Sequence, residues 1–247
     1  NVADGKTLHI DGSSLTTGVL TAILTADSNG INTVTGGGAA DLITGSASDL
    51  GDTLNGGAGN DTFTFATANL TSLDTIAGGA GTDILTFSDA ETVVDADFTN
   101  VPSVETYDSF AGASTITLGP LATAAGIVTL LTGGTAASTV TIPATHTGDL
   151  TVTSEIAGES ITAAATYAGK LTVKTTADLQ TTDTLTAGAG TSDTLIITAT
   201  GTAMVADDLD TVTLFEAVDI AFNAAFSLTS AVEMIATGKS MSWTASG

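Results

Sequence analysis

The residues Gly56-Gly57-Ala58-Gly59-Asn60-Asp61-Thr62-Phe63-Thr64 set three glycines at fixed offsets before an aspartate and a large apolar side chain, and Gly78-Gly79-Ala80-Gly81-Thr82-Asp83-Ile84-Leu85-Thr86 repeats the arrangement. Glycine tolerates the tight turns in which main-chain carbonyls are aimed at one point, and the aspartate adds a carboxylate. Oxygen donors of both kinds are the hard ligands that Ca2+ prefers. Each nonapeptide is half a coil, with Gly56, Ala58, Asn60 and Asp61 as candidate metal ligands in the first and Gly78, Ala80, Thr82 and Asp83 in the second. The three closing residues, one large apolar side chain between two outward positions, read as a short strand whose middle residue enters a core.

Weaker copies surround these two. Gly36-Gly37-Gly38-Ala39-Ala40-Asp41-Leu42-Ile43-Thr44 keeps the register and the candidate ligands Gly36, Gly38 and Asp41, but Ala39 stands where the third fixed glycine belongs, which predicts a strained turn. Asp52-Thr53-Leu54-Asn55 and Asp74-Thr75-Ile76-Ala77 close two further units; the turn before Asp52, starting near Gly45, is lengthened, and the one before Asp74 has no glycine. Successive turns of a roll alternate between two edges. Asp41, Asp61 and Asp83 should then line one edge and Asp52 and Asp74 the other, with cations between stacked turns of the same edge. Farther on, Asp183-Thr184-Leu185-Thr186 and the turn holding Gly188, Gly190 and Asp193 form a degenerate second block, either a retained structural turn whose cation has been lost or a weaker site that releases calcium before the 36–86 block.

The nonapeptide resembles the repeat of the RTX family of secreted calcium-binding proteins, strongly over residues 36–87. That resemblance implies an all-β fold, a parallel β-roll or β-solenoid with calcium-binding turns, Ca2+ as the bound ion, and export by a type I system that reads an uncleaved C-terminal signal. No such signal is recognisable near Gly247, and the chain reads as a fragment of a longer polypeptide. Thr/Ala/Gly-rich, cysteine-free RTX chains with few lysines and long strand regions are similar to bacterial S-layer proteins. This implies a secreted protein of the cell surface that self-assembles into an array or filament with calcium, and a cell-surface polysaccharide as candidate anchor.

Composition sets outer limits. With 247 residues, 43% of them hydrophobic but only 4% aromatic, the core must be built from Val, Ile, Leu and Ala, which suits a thin solenoid. Four lysines, Lys6, Lys170, Lys174 and Lys239, stand against 27 acids for a net charge of −23. A nucleic-acid partner is excluded, because phosphate neutralisation needs basic patches. There is no cysteine for disulfides or thiolate metal sites, and no apolar run long enough for a membrane span. The expected organisation is strand coils in residues 1–35, the roll in 36–87, a solenoid strand region in 88–180, and the degenerate block with a second strand region in 181–247; boundaries are soft because each coil touches only its neighbours.

Short β-branched stretches such as Ile116-Thr117-Leu118, Val140-Thr141-Ile142 and Leu195-Ile196-Ile197 predict strands. Helical pattern is confined to Leu121–Leu131 and residues 203–210, where Ala and Leu support a turn or two. A duplication of about 110 residues aligns Gly79–Leu85 with Gly188–Leu195, Asp97–Val101 with Asp208–Val212, and Val104–Asp108 with Phe215–Asp219. Glu105, Glu216 and Glu233 occupy matching places and read as a solvated acidic ladder on strands, or else as an additional calcium site or assembly contact. His9 and His146 are far apart and lack a partner motif, so they read as surface or capping residues, and the chain is expected not to be an enzyme. The alternatives to a surface-layer component are an adhesin or an ice- or carbohydrate-binding module using Thr-x-Thr strands (139–141, 151–153), and the non-catalytic domain of a larger secreted RTX hydrolase.

Overall fold

The computed structural model describes residues 3, 5–48, 50–89, 92–109, 113–133, 136–176, 179–180, 182–199, 211–222 and 242–245. Residues 203–210, Asp208 and Glu233 lie outside them.

One parallel sheet of eleven strands runs from Thr21–Ile23 to Ser242–Ala245. Each strand pairs with the one a coil later: Thr21 with Leu42, Leu42 with Thr62, Thr62 with Ile84, Ile84 with Thr106, then Thr129, Thr151, Thr172, Thr194 and Ala217 in turn. Between successive strands from Thr21–Ile23 to Ala217–Phe222 the chain crosses to the opposite face and returns. The fold is the expected parallel β-solenoid.

The opposite face is built in two instalments. Thr7–Asp11, Ile31–Thr35, Thr53–Ala58 and Thr75–Ala80 form a four-stranded sheet, and six strands from Thr92–Val93 to Val212–Thr213 form another. The change comes where Asn100–Pro102 covers the last strand of the first sheet: Ile76 N donates to Asn100 O (3.0 Å) and Gly78 N to Pro102 O (3.1 Å). The long sheet runs across this change without a break.

Alternation along each strand sends its middle residue inward. Ala22, Ile43, Phe63, Leu85, Tyr107, Leu130, Val152, Val173, Leu195 and Val218 form one buried column on the long sheet, facing Val34, Leu54 and Ile76 and then Val93, Ile116, Val140, Ile161, Leu185 and Val212. Burying a side chain of this size contributes about 1.5–3 kcal/mol, and one such rung per half-coil is what a chain poor in aromatics can supply. A second inward position changes character along the stack. It is held by Phe65 and Phe87 and then, in continuous register, by Ser109, Thr132, Ser154 and Thr175, all buried. The hydroxyls of Ser109, Thr132 and Ser154 donate to main-chain carbonyls of Leu131, Thr153 and Ile156.

The α-helix is of the one to two turns expected near 121–131. It spans Pro120–Ala125 and stops at Gly126, whose φ of 106° is left-handed. Thr129–Thr132 then joins the long sheet, because its period-two burial outweighs helix propensity. The Thr-x-Thr stretches fall on different faces: Thr139 and Thr141 are exposed on the second short sheet, whereas Thr151 and Thr153 are half-buried on the long one.

Candidate metal centre at the glycine turns

In the roll, the acid just ahead of a strand serves the coil before it. On one edge, Asp41 Oδ1 accepts from Leu20 N (2.6 Å), Asp61 Oδ1 from Asp41 N (2.7 Å), and Asp83 Oδ1 from Asp61 N (2.7 Å). On another, Asp52 Oδ1 accepts from Asn32 N (3.1 Å) and Asp74 Oδ1 from Asp52 N (2.6 Å). The two columns are the two edges expected from the alternation of turns. The sixth-position aspartate thus has a job independent of any ion: it satisfies a main-chain donor that the turn leaves without a carbonyl.

The second carboxylate oxygens separate these acids into two kinds. Asp41 Oδ2 accepts from Gly37 N (2.6 Å), Asp52 Oδ2 from Ser46 N (3.1 Å), and Asp74 Oδ2 from Thr71 N (2.7 Å). Asp183 likewise uses both oxygens, taking Gly158 N (2.6 Å) and Glu159 N (2.8 Å) on Oδ1 and Gln180 N (2.6 Å) on Oδ2. Asp61, Asp83 and Asp193 are different. Each has zero exposure, and each leaves Oδ2 buried without a partner. Burial pushes all three carboxyls above the usual aspartate range, helped at Asp61 by Asp83 and Asp41, at Asp83 by Glu105, and at Asp193 by Glu216. A buried anion among anions without a donor is costly.

The glycines explain where those oxygens point. At Gly56 an added Cβ would meet Asp61 Oδ2 and the carbonyl oxygen of Gly78; at Gly36 it would meet Asp41 Oδ2 and the carbonyl oxygen of Gly56. Carboxylate and stacked carbonyl therefore close on one spot above the first glycine of the turn. Both complete nonapeptides share the same backbone, with Gly57 at φ 101° and Gly59 at 118°, and Gly79 at 110° and Gly81 at 149°. The 36–41 turn does not. Neither Gly37 nor Ala39 takes a positive φ, so the strain expected from Ala39 is avoided by a different turn. Gly45 follows the strand Leu42–Thr44 and opens the lengthened turn before Asp52, as expected, and its lack of a Cβ makes room for the Phe65 ring.

Among the described residues no three Asp, Glu or His side chains converge on one point. A cation here would draw much of its shell from the stacked carbonyls, and Ca2+ accepts six to eight oxygens of mixed kind. The donor set fits that ion: Asp61 and Asp83 with carbonyls of the 56–59 and 78–81 turns. Ala58, Asn60, Ala80 and Thr82 lie on the exposed outer side of these turns, where Asn60 Oδ1 accepts from Thr82 N (3.0 Å). Gly38 is likewise exposed.

Several residues stand elsewhere than the sequence indicates. Glu105 and Glu216 do not point outward from strands; each half-buried side chain belongs to the edge column, accepting from Asp83 N (2.9 Å) and Asp193 N (2.8 Å). His9 is exposed, but His146 is buried, with Nδ1 2.9 Å from Thr123 Oγ1 and 3.2 Å from Gly119 O. Burial pushes its pKa below the ordinary value, so it packs as a neutral ring near Tyr167.

Glu159 escaped the sequence reading altogether. It stands in register with Ser138 and Asp183 ahead of the second short sheet, and the likeness of Glu159-Ser160-Ile161-Thr162 to Asp183-Thr184-Leu185-Thr186 is the signal that marks it. Its side chain is buried, Oε1 accepts from Ser138 N (3.2 Å), and Oε2 has no partner. Burial pushes its pKa to about 7, with Asp183 the charged group adding to the rise. A carboxyl raised in the folded state binds more protons folded than unfolded between its ordinary value and 7, so stability falls as pH rises through that window. Unfolding free energies from urea titrations at about pH 5 and about pH 8 should differ less for Glu159→Gln than for the unaltered chain, by roughly 2 kcal/mol. Identical pH slopes would remove Glu159 as the source.

No family model, curated protein or solved structure matches this chain.

Proposed function

We propose that this chain is a calcium-stabilised structural piece of a bacterial cell exterior, similar to an S-layer component, that completes its fold when it meets Ca2+ after secretion. The observation carrying this reading is the trio of fully buried, unpartnered oxygens on Asp61, Asp83 and Asp193. Two of them stand in stacked glycine turns, where main-chain carbonyls supply the remaining hard ligands. At a net charge of −23 the chain repels itself. An ion held only by the folded turns offsets that repulsion, and its binding energy becomes folding energy. In this reading low intracellular calcium leaves the 36–87 roll loose and exportable, and extracellular calcium stiffens it. The chain acts as a non-catalytic spacer or lattice element, with a surface polysaccharide as its anchor.

Hydrogen exchange with and without a chelator tests this directly. Chelation should strip protection from the strands Thr62–Phe65 and Ile84–Phe87 while Thr129–Thr132 and Leu150–Ser154, distant from the complete turns, retain theirs. Calcium should also bring ordered sheets or filaments on a grid. Unchanged protection in the roll after chelation would sink the reading.

A second reading rests on the outer face of the second short sheet. Thr92, Thr115, Thr139, Ser160 and Thr184 form one hydroxyl column in register there, and Thr117, Thr141, Thr162 and Thr186 a parallel one. Such a regular lattice suits an ordered hydroxyl partner, ice or a polysaccharide. Thermal hysteresis or a glycan-array signal lost in Thr139→Val would favour it, and silence in both would dismiss it.

A further inference from the structure

The segment Asn100-Val101-Pro102-Ser103-Val104-Glu105 contains no glycine, yet it stacks on the 78–83 turn as that turn stacks on 56–61. Gly78 N donates to Pro102 O, and Asp83 N donates to Glu105 Oε2 (2.9 Å), as Asp61 N donates to Asp83 and Asp41 N to Asp61. Asn100 and Ser103 adopt the left-handed backbone that glycine supplies in the turns below, with φ of 60° and 57°. The Ser103 carbonyl oxygen crowds the place where a Gly78 Cβ would stand, as the Gly78 carbonyl oxygen does over Gly56 and the Gly56 carbonyl oxygen over Gly36. Asp83 Oδ2, buried and unpartnered, lies 2.5 Å from that same place.

We propose that the Ser103 carbonyl and the Glu105 carboxylate complete a divalent-cation site with Asp83, one position beyond the last glycine turn. The site has only oxygen donors, two of them anionic, a set that suits Ca2+. It rests on the reading of the glycine turns as calcium sites, whose column it lengthens by one place. The duplicated half of the chain repeats its parts. Leu214 is left-handed at φ 67°, two residues before Glu216 as Ser103 is before Glu105. Glu216 Oε2 accepts from Asp193 N, and Asp193 Oδ2 is again buried without a partner. The Val-Glu and Phe-Glu pairs thus mark an ion-holding cap at the end of each block.

Equilibrium dialysis of the full chain against Ca2+, with Glu105→Gln, Glu216→Gln and the double variant, decides the matter. Glutamine keeps an oxygen to accept from Asp83 N or Asp193 N while removing the charge. Each single variant should lose one bound calcium and the double variant two, with the β-rich circular dichroism at saturating calcium unchanged. Full retention of bound calcium in both single variants would overturn the cap sites and leave the glycine turns standing. A wild type that binds no calcium would overturn both. If Glu105→Gln does not fold, Glu216→Gln decides alone, and an unaltered calcium count there counts against the proposal.

Discussion

Gly78→Ala should cost about 3 kcal/mol or more in the calcium-loaded protein. The new Cβ would meet the Ser103 carbonyl oxygen, Asp83 Oδ2 and Asp83 Cβ. One of these is main chain, and the others belong to a side chain with no exposure, so none is the loose end of a flexible group. Relief requires lifting the 100–105 segment off the turn, which breaks the Gly78 and Ile76 hydrogen bonds to Pro102 and Asn100 and opens the carbonyl stack. Gly18→Ala is the matched control: an exposed glycine whose added Cβ would meet only Leu15 Cδ2, at 3.7 Å. Urea midpoints that fall equally for the two variants would show that the crowding at Gly78 is absent in solution.

At Asp61 the order of stabilities should reverse with the ion. Asp61→Ala leaves the buried Asp41 N–H without an acceptor, costing about 1–3 kcal/mol whether calcium is present or not. Asp61→Asn keeps that acceptor and removes the charge. Without calcium the native carboxylate is disfavoured by burial and by Asp83 and Asp41, which is why its pKa is raised. A raised folded value means that the ionised form lowers stability at neutral pH, so the asparagine variant should be more stable than the unaltered chain in chelator. In excess calcium the ranking should invert, because the asparagine binds the ion weakly. Thermal unfolding of the three chains in chelator and in calcium measures this, and the same ranking in both conditions would show that Asp61 only serves the main chain.

The strand positions and the edge on which each acid falls were legible because both follow from local period. Glycine offsets, Asp before a polar-apolar-polar triplet, and a repeat near one coil in length are all contained in nearby residues. The short helix was legible for the same reason, since Ala and Leu favour helix locally, but where it must end was not, because the pull of the long sheet on Thr129–Thr132 comes from strands a coil away. Glu105 and Glu216 were misplaced because a glycine-free turn gives no sign that it stacks on a glycine turn. The buried His146 was misread because its partners, Thr123 and Gly119, lie in the preceding coil.

Turn chemistry, the acid column and the all-β class are therefore written in the order of amino acids, since each depends on backbone freedom and alternation within a few residues. Which acids retain an empty oxygen is not. Asp41, Asp52, Asp74 and Asp183 find a second donor whereas Asp61, Asp83 and Asp193 do not, and the difference lies in how each folded turn presents its N–H groups and in what the stacked coil leaves room for. The second donors come from the acid's own turn, three to six residues before it, but only packing of coil upon coil brings the stacked carbonyls to the empty oxygens, because such contacts act over about 3 Å while those carbonyls stand a full coil away in the chain.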